Sequence, residues 1–390
     1  MTAVLQTPEV ARTSADTAWS EIPAEKLPYW NDLLLQTGAS VYQYPFASAP
    51  YERLFFTPRH LACGAQEKPS AYACILTVGF HGFRVGLVFR GPVSLVGRGP
   101  VPQEALASLS RWAAREGYVF LRFTPEDAPT FGAIATMPGA HRSDLFPFYL
   151  DYGQSAPELV VEQKESDTEM LASFDREARR KIRRASECNY EIRSAYSEQA
   201  LAELWPLYEQ CVRRKGFRLE RPLSFYKDLV RAARCHDAVR IYSAWLDGRP
   251  CAMTLVLRDR DTAHCVLAAH DAADGTHGTA TLLHWTSMRD MHRLGTRYYN
   301  MGSAPGSLAR FKQQFSPRSV ICPGVVSLVV DERRFKLWRG ILLPLARAVR
   351  PSVRKLSGSL YQNNSRLLAS ILSPKPAAQP GFKAMIRRSA

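Results

Sequence analysis

The sequence predicts an α/β protein of two tandem units, each built on a mixed, mostly antiparallel sheet flanked by helices. Three observations carry this. The chain has 390 residues, more than one hydrophobic core usually organises, so two domains are the default. Its first half reads strand, strand, helix, strand, a mixed α/β order. Its second half reads helix, helix, three strands, helix, strand, and so repeats the plan. Apolar residues make up 46% and charged residues 22% of the chain, a globular balance that argues against global disorder.

The elements follow in order. Residues 1–20 are small and polar and read as a mobile leader. Leu27 to Thr37 reads as a helix that Gly38 ends. Ala71 to Val78 and Arg84 to Val96 are rich in β-branched and aromatic residues and read as strands, with a turn at Gly79 to Gly82. Gln103 to Glu116 carries apolar residues at 106, 109, 112 and 113, the spacing of an amphipathic helix. Gly117 ends it, and Tyr118 to Phe123 and Phe146 to Asp151 read as further strands. In the second half, 167–188, 198–214 and 224–234 read as helices and 190–193 as a strand. Three strands follow at 239–246, 249–258 and 262–270, with Asp247-Gly248 making a tight hairpin between the first two. Thr279 to Leu294 reads as a helix, Gly295 stops it, and Arg297 to Met301 is the next strand. The boundaries expected are a first domain over 21–165, a second over 166–330, and a basic tail over 331–390.

Charge divides the chain unevenly. Net charge is +15, from 51 basic and 36 acidic residues. Thirteen of the basic residues and none of the acidic ones lie after Glu332, leaving 38 against 36 before it. A near-neutral body with a basic tail implies an anionic partner for the tail, lipid or nucleic acid. The eight cysteines are scattered, at Cys63, Cys74, Cys188, Cys211, Cys235, Cys251, Cys265 and Cys322. None forms a C-x-x-C pair and no two histidines share a helix face at metal-binding spacing, so no metal site is expected. Dispersed thiols suit reduced core residues in a cytoplasmic protein. The first sixteen residues lack the basic start and apolar core of a signal peptide. No apolar run approaches the ~18 residues of a spanning helix.

The most informative segment is Thr296 to Ser316. A strand through Tyr299 and Asn300 enters a turn with Gly302 and Gly306, then a short helix presents Phe311, Lys312 and Phe315. A lysine between aromatics just past a strand end suits a negatively charged group. This pattern resembles the Fem-type acyltransferases, relatives of the GNAT acetyltransferase superfamily that move an aminoacyl or acyl group onto an amine. The helix, helix, three-strand, helix, strand order is also similar to the acetyltransferase plan. The resemblance covers about 25–325 and is strongest from about 168 to 318. It implies tandem GNAT-like domains, the second catalytic. It implies no tightly bound cofactor, with aminoacyl-tRNA or acyl-coenzyme A as co-substrate.

The resemblance also assigns roles. Lys312 would stabilise the oxyanion of acyl transfer or hold a donor phosphate; otherwise it is a surface lysine lying over Phe311 and Phe315. Tyr299 joins Lys312 in the candidate catalytic set. His270, read from its place at a strand end facing the cleft, is a candidate base with a pKa near neutrality or a structural residue. Asn300 stands where the family often has Asp, and an amide cannot act as a base. Gly275 to Ala280 occupies the place of the acetyltransferase phosphate loop, with Gly278, Thr279 and Ala280 at the helix start. Gly275 stands where Arg or Gln is expected, which favours a tRNA donor over coenzyme A. Phe311 and Phe315 would flank the donor. For the phosphate-bearing acceptor the resemblance offers Arg179 and Arg183, from a segment with six basic residues in nine, and Lys215, Arg221 and Tyr226 around a helix-linking turn. The alternatives are a solvated helix face and a core turn. In the first domain, Tyr42 to Ser48 is similar to a family segment, but the lysine expected soon after is absent and Arg53 is the available substitute.

In the tail, Phe335, Trp338, Leu342, Leu345 and Val349 recur at helical spacing among basic residues. Such a stripe suits a membrane interface or packing on the body, with Pro344 as a kink. Two functions stay open: an acyltransferase with peripheral membrane contact, and a non-catalytic nucleic-acid- or membrane-binding protein of the same fold.

Overall fold

Local sequence caps five of the eleven α-helices among the described residues. Asp127, Ser166, Asp175, Ser197 and Asp331 each accept a hydrogen bond from a backbone N–H three residues on, the usual way orphan donors of a first turn are satisfied. A computed structural model describes residues 18–65, 68–80, 83–97, 99–142, 157–216, 221–272, 278–303, 307–321 and 323–342. The first half comprises β1 (Trp19–Glu21), α1 (Leu27–Thr37), α2 (Pro45–Ser48), β2 (Thr57–Cys63), β3 (Ala71–Phe80), β4 (Phe83–Phe89), β5 (Val93–Ser94), α3 (Gln103–Arg115), β6 (Tyr118–Thr124), α4 (Ala128–Ala135) and β7 (Ala140–Arg142). Then come β8 (Glu158–Glu162), α5 (Asp167–Ser173), α6 (Arg176–Ser186), β9 (Glu191–Ala195), α7 (Glu198–Lys215), α8 (Leu223–Ala233), β10 (Val239–Leu246), β11 (Arg249–Arg258) and β12 (Thr262–His270). The chain continues through α9 (Thr279–Arg293), β13 (Tyr298–Ser303), α10 (Ser307–Gln313), β14 (Arg318–Val320), β15 (Val326–Val329) and α11 (Glu332–Leu337).

The strands form two mixed sheets. One runs β1-β2-β3-β4-β6-β15-β7, with β5 also on β3; the other runs β14-β8-β13-β12-β11-β10-β9. Among the described residues, only β4–β6 and β12–β13 pair in parallel. Helices α3 and α4 cover one face of the first sheet. Helices α5, α6 and α9 cover one face of the second. Between the sheets a shared core joins Trp30, Tyr44 and Leu76 of the first half to Leu204, Phe225 and Leu267 of the second. Helices α7 and α8 therefore serve both sheets, and the two units are packed through a common apolar layer.

Four expectations change. The helix read over 167–188 is two helices, because Phe174 turns into the core and Asp175 restarts the chain as a cap. The strand read over 84–96 stops at Phe89, and β5 folds back onto β3. The unit boundaries are not sequential: β8, placed before 166, pairs with β13 of the second sheet, and β15, placed in the second domain, pairs with β6 of the first. Part of the tail stripe packs on the body, since half-buried Phe335 meets Phe120 edge-on and half-buried Trp338 lies tilted against it, with ring centroids 5.4 and 6.1 Å away. The strand read over 146–151, the turn tip at 81–82, residues 1–17 and the tail beyond 342 lie outside the described residues.

Candidate active site

The site grows from the place where β12 and β13 part. Their parallel pairing covers Thr262↔Tyr298, Ala263↔Tyr299 and His264↔Asn300 and then ends. Beyond it, Cys265 and Leu267 to His270 pair with β11 alone among the described residues. The register jumps from Leu255↔Leu267 to Val256↔Cys265, so Val266 is an extra residue that bulges the strand at the mouth of the gap. A splayed pair with one strand edge unpaired offers backbone groups to an extended acyl or aminoacyl chain.

Lys312 projects from α10 to the end of β13. Its Nζ donates to the carbonyls of Met301 and, at 2.7 Å, of Ser303. The two carbonyls flank Gly302, whose φ of 72° lies in the left-handed region that glycine enters without strain. Lys312 is 8% exposed, so the expected solvent-accessible lysine is buried, because the carbonyls draw its ammonium inward. Burial pulls its pKa below the usual lysine value, while Cys265 and Glu158 oppose that shift.

Beneath it the aromatics interlock. Phe315 is fully buried against Phe174 and His284, and Phe311 meets Phe315 edge-on and lies tilted against His284. Tyr299 is also fully buried, its hydroxyl 2.9 Å from Ser287 Oγ and 3.3 Å from His284 Nδ1. Burial raises the Tyr299 pKa. Burial, with the Lys312 charge, lowers that of His284 to about 3. Phe315 and Tyr299 support the lysine from below and have no open face toward a ligand.

At the far end of β12, the ring of half-buried His270 has Nδ1 2.9 Å from the Asp271 carbonyl. That acceptor requires Nδ1–H, leaving Nε2 with a lone pair. Burial lowers its pKa, helped by the charges of Lys215 and Arg214. Arg214 donates to the His270 carbonyl at 2.8 Å. The end of α7 thus brings exposed Lys215 to the same rim as His270.

The remaining expected residues scatter. Gly278 has φ 86°, and a Cβ there would stand 2.8 Å from the Lys181 carbonyl, so α6 fills that side. Thr279 is buried with Oγ1 unpartnered among the described residues, and Ala280 is half-buried beside it; 273–277 lie outside the description. Arg179 turns back to the carbonyls of Ala172 and Phe174, closing the end of α5, while Arg183 is exposed. Arg221 donates to Tyr51 Oη at 2.9 Å and lies over the rings of Tyr51 and Phe225. Tyr226 packs in the core on Trp205. As placed, Tyr226 meets an acceptor only if the core opens. Arg53 is engaged by Asp228 of α8.

Sequence reasoning missed a cavity of about 270 Å³ between the units, lined by Arg90, Glu126, Glu158, His264, Asn300 and Arg318 among others. Arg90 pairs with both Glu126 and Glu158. His264 Nε2 bonds buried Asp259 at 3.0 Å. No local motif marks these residues; the fold assembles them from β4, β6, β8, β12, β13 and β14.

The comparisons agree with this geometry. Residues 172–313 match a family model described as "Acetyltransferase (GNAT) domain". Among solved structures, one described as FemX superposes with a TM-score of 0.71 at 14% identity, covering 83% of this chain and 99% of that one. L-PGS from Bacillus licheniformis has a TM-score of 0.50 at 14% identity, covering 80% of this chain and 93% of its own. The C-terminal domain of a putative lysylphosphatidylglycerol synthetase from Agrobacterium fabrum also reaches 0.50, at 12% identity, covering 78% and 92%. No curated protein matches the sequence significantly. The chain is thus an acyltransferase by the GNAT domain at 172–313, and its overall fold is one that FemX shares.

Proposed function

We propose that this acyltransferase moves an aminoacyl group from aminoacyl-tRNA onto an amine of a phosphate-bearing or lipid-linked acceptor. The observation that carries the reading is Lys312, a buried ammonium fixed by two carbonyls beside the opened β12 edge. Two of its three N–H groups serve those carbonyls, and the third is assigned to the reacting oxygen. The amine nitrogen attacks the ester carbonyl, forming a C–N bond. The tetrahedral oxygen takes the negative charge, which a preorganised cation stabilises. Collapse breaks the C–O bond to the ribose, and the proton lost by the amine passes to the leaving oxygen. His270 Nε2, neutral because its pKa is lowered, suits that transfer. Lys215, Arg214 and Arg183 offer exposed positive charge to phosphates. Gly278, Thr279 and Ala280 start the helix that would face the donor, with Phe311 as the flanking ring. The fold shared with a putative lysylphosphatidylglycerol synthetase supports an aminoacyl donor.

An acyl-coenzyme A donor is the second reading, favoured by the match to an acetyltransferase model. The two donors are separated by assaying each with the same amine acceptors and by titrating the protein with acetyl-coenzyme A. Tight stoichiometric binding of acetyl-coenzyme A overturns the tRNA preference. Lys312→Met, which keeps length and removes charge, should raise the barrier by about 3 kcal/mol. Because Lys312 is buried, its melting temperature is measured alongside. A folded Lys312→Met enzyme with parental turnover sinks the assignment. Membrane contact through the basic residues 333–390 belongs to the same proposal. No described helix is long and apolar enough to cross a membrane.

A further inference from the structure

We propose that Asn300 is a positioning residue for Lys312, and that the first unit fixes it through Arg90 and Glu158. The inference rests on the reading of Lys312 as the catalytic cation. It comes from an unbroken path of polar contacts. Arg90 follows β4 and lies over the Tyr42 ring, 5.0 Å from its centroid. It donates to Glu126 at 2.8 Å and to Oε1 of Glu158 on β8. The other Glu158 oxygen accepts from Asn300 Nδ2 at 2.7 Å. Asn300 Oδ1 accepts the Gly302 N–H at 2.7 Å. That bond holds the left-handed turn whose neighbouring carbonyls, Met301 and Ser303, grip Lys312 Nζ. A shift of Asn300 therefore moves both ligands of the lysine together.

The chemistry explains why an amide stands here. One side chain must donate to a carboxylate and accept from a backbone N–H, and a planar amide does both. An ionised aspartate at 300 would face Glu158 at hydrogen-bond distance, and the pair would separate or trap a proton. Arg90 and Asn300 together hold Glu158 ionised despite its burial. The ionisable groups acting on Lys312 are Glu158 on β8, Cys265 on β12 and His284 on α9. Of these, Glu158 alone belongs to the path.

The test is a polarity swap. Asn300→Asp keeps the acceptor for Gly302 and sets two carboxylates face to face; Asn300→Asp with Glu158→Gln restores a donor–acceptor pair in reverse. Turnover kinetics are read with a ¹⁵N-lysine NMR titration of Lys312 Nζ, assigned by its loss in Lys312→Met. The single variant should lose about 100-fold in kcat with KM little changed, and the Lys312 titration should shift. The double variant should recover most of the kcat and the parental titration. Parental kcat and titration in the single variant overturn the relay, as does a folded double variant that recovers neither. Should the single variant unfold, the double variant decides by the same criteria. If Lys312→Met is fully active while the swap still moves the titration, the catalytic reading of Lys312 has failed and the positioning has not.

Discussion

His284 is a buried residue of α9 beside Phe311, with the Lys312 charge acting on it, and His60 bridges Ser48 and Tyr72 inside the first unit. Burial lowers their pKa values from 6.5 to about 3 and about 4. A base whose folded pKa is depressed stays neutral in the native state while the unfolded chain takes up a proton. Its stabilising contribution is complete above pH 6.5 and is lost as pH falls toward the folded value. Each histidine should therefore cost about 1.4 kcal/mol of stability per pH unit in the lower part of that window. Urea unfolding at pH 7, 6 and 5 should show the decline, and His284→Gln should make it shallower. A pH-independent midpoint between 7 and 5 contradicts the burial argument. The same burial governs Lys312: its desolvation is offset by two carbonyls and by Glu158, so its neighbours bear on it as strongly as its own α10.

At the scale of elements, the start of α9 is decided by α6. The Gly278 N-cap sits at φ 86°, with its open side 2.8 Å from Lys181 Cβ and carbonyl oxygen. A methyl group there meets backbone that cannot swing away. Gly278→Ala should destabilise by about 1–3 kcal/mol. Gly295, at φ 94° with open space around it, is the control; Gly295→Ala carries the left-handed penalty alone, about 1–2 kcal/mol. Chemical denaturation of both variants checks this, and an equal loss removes the claim that α6 braces α9. The helix caps belong to the same scale: a Ser or Asp three residues before the N–H it satisfies is a local signal, but the single helix expected over 167–188 passes over Asp175 and runs two helices together.

Across the whole molecule, the chain leaves the first sheet after β7, builds the second, and returns as β15 between β6 and β7. The first unit is complete only when 326–338 have come back, with Phe335 and Trp338 closing over Phe120. Truncation after Glu332 should therefore cost about 1.5–3 kcal/mol, the scale of exposing the apolar area that two half-buried aromatics cover. Truncation after Leu342 should leave the fold intact. Nine of the thirteen tail basic residues lie beyond Leu342, and each contributes about 1 kcal/mol near an anionic surface, screened by salt. Co-sedimentation with anionic vesicles should fall for the shorter cut and weaken at high ionic strength. Full-length protein that ignores such vesicles ends the membrane proposal.

By itself the sequence determined the order and kind of the longer elements, among them α3, β6, the β10–β12 strands, α9 and β13, because periodicity and glycine stops act within a few residues. It also determined the α/β class and pointed to the Tyr299–Phe315 segment. Tertiary structure alone decided which sheet β8 and β15 join, since strand pairing is settled by contacts far apart in the chain. It also separated support from site: Tyr226, Phe315 and Tyr299 look alike in sequence as aromatics near charge, yet packing buries all three. Arg90, Glu158 and Asn300 carry no shared motif. They meet because two units close on one another, and the energy of a buried charge depends on partners that only the folded chain brings within hydrogen-bond reach.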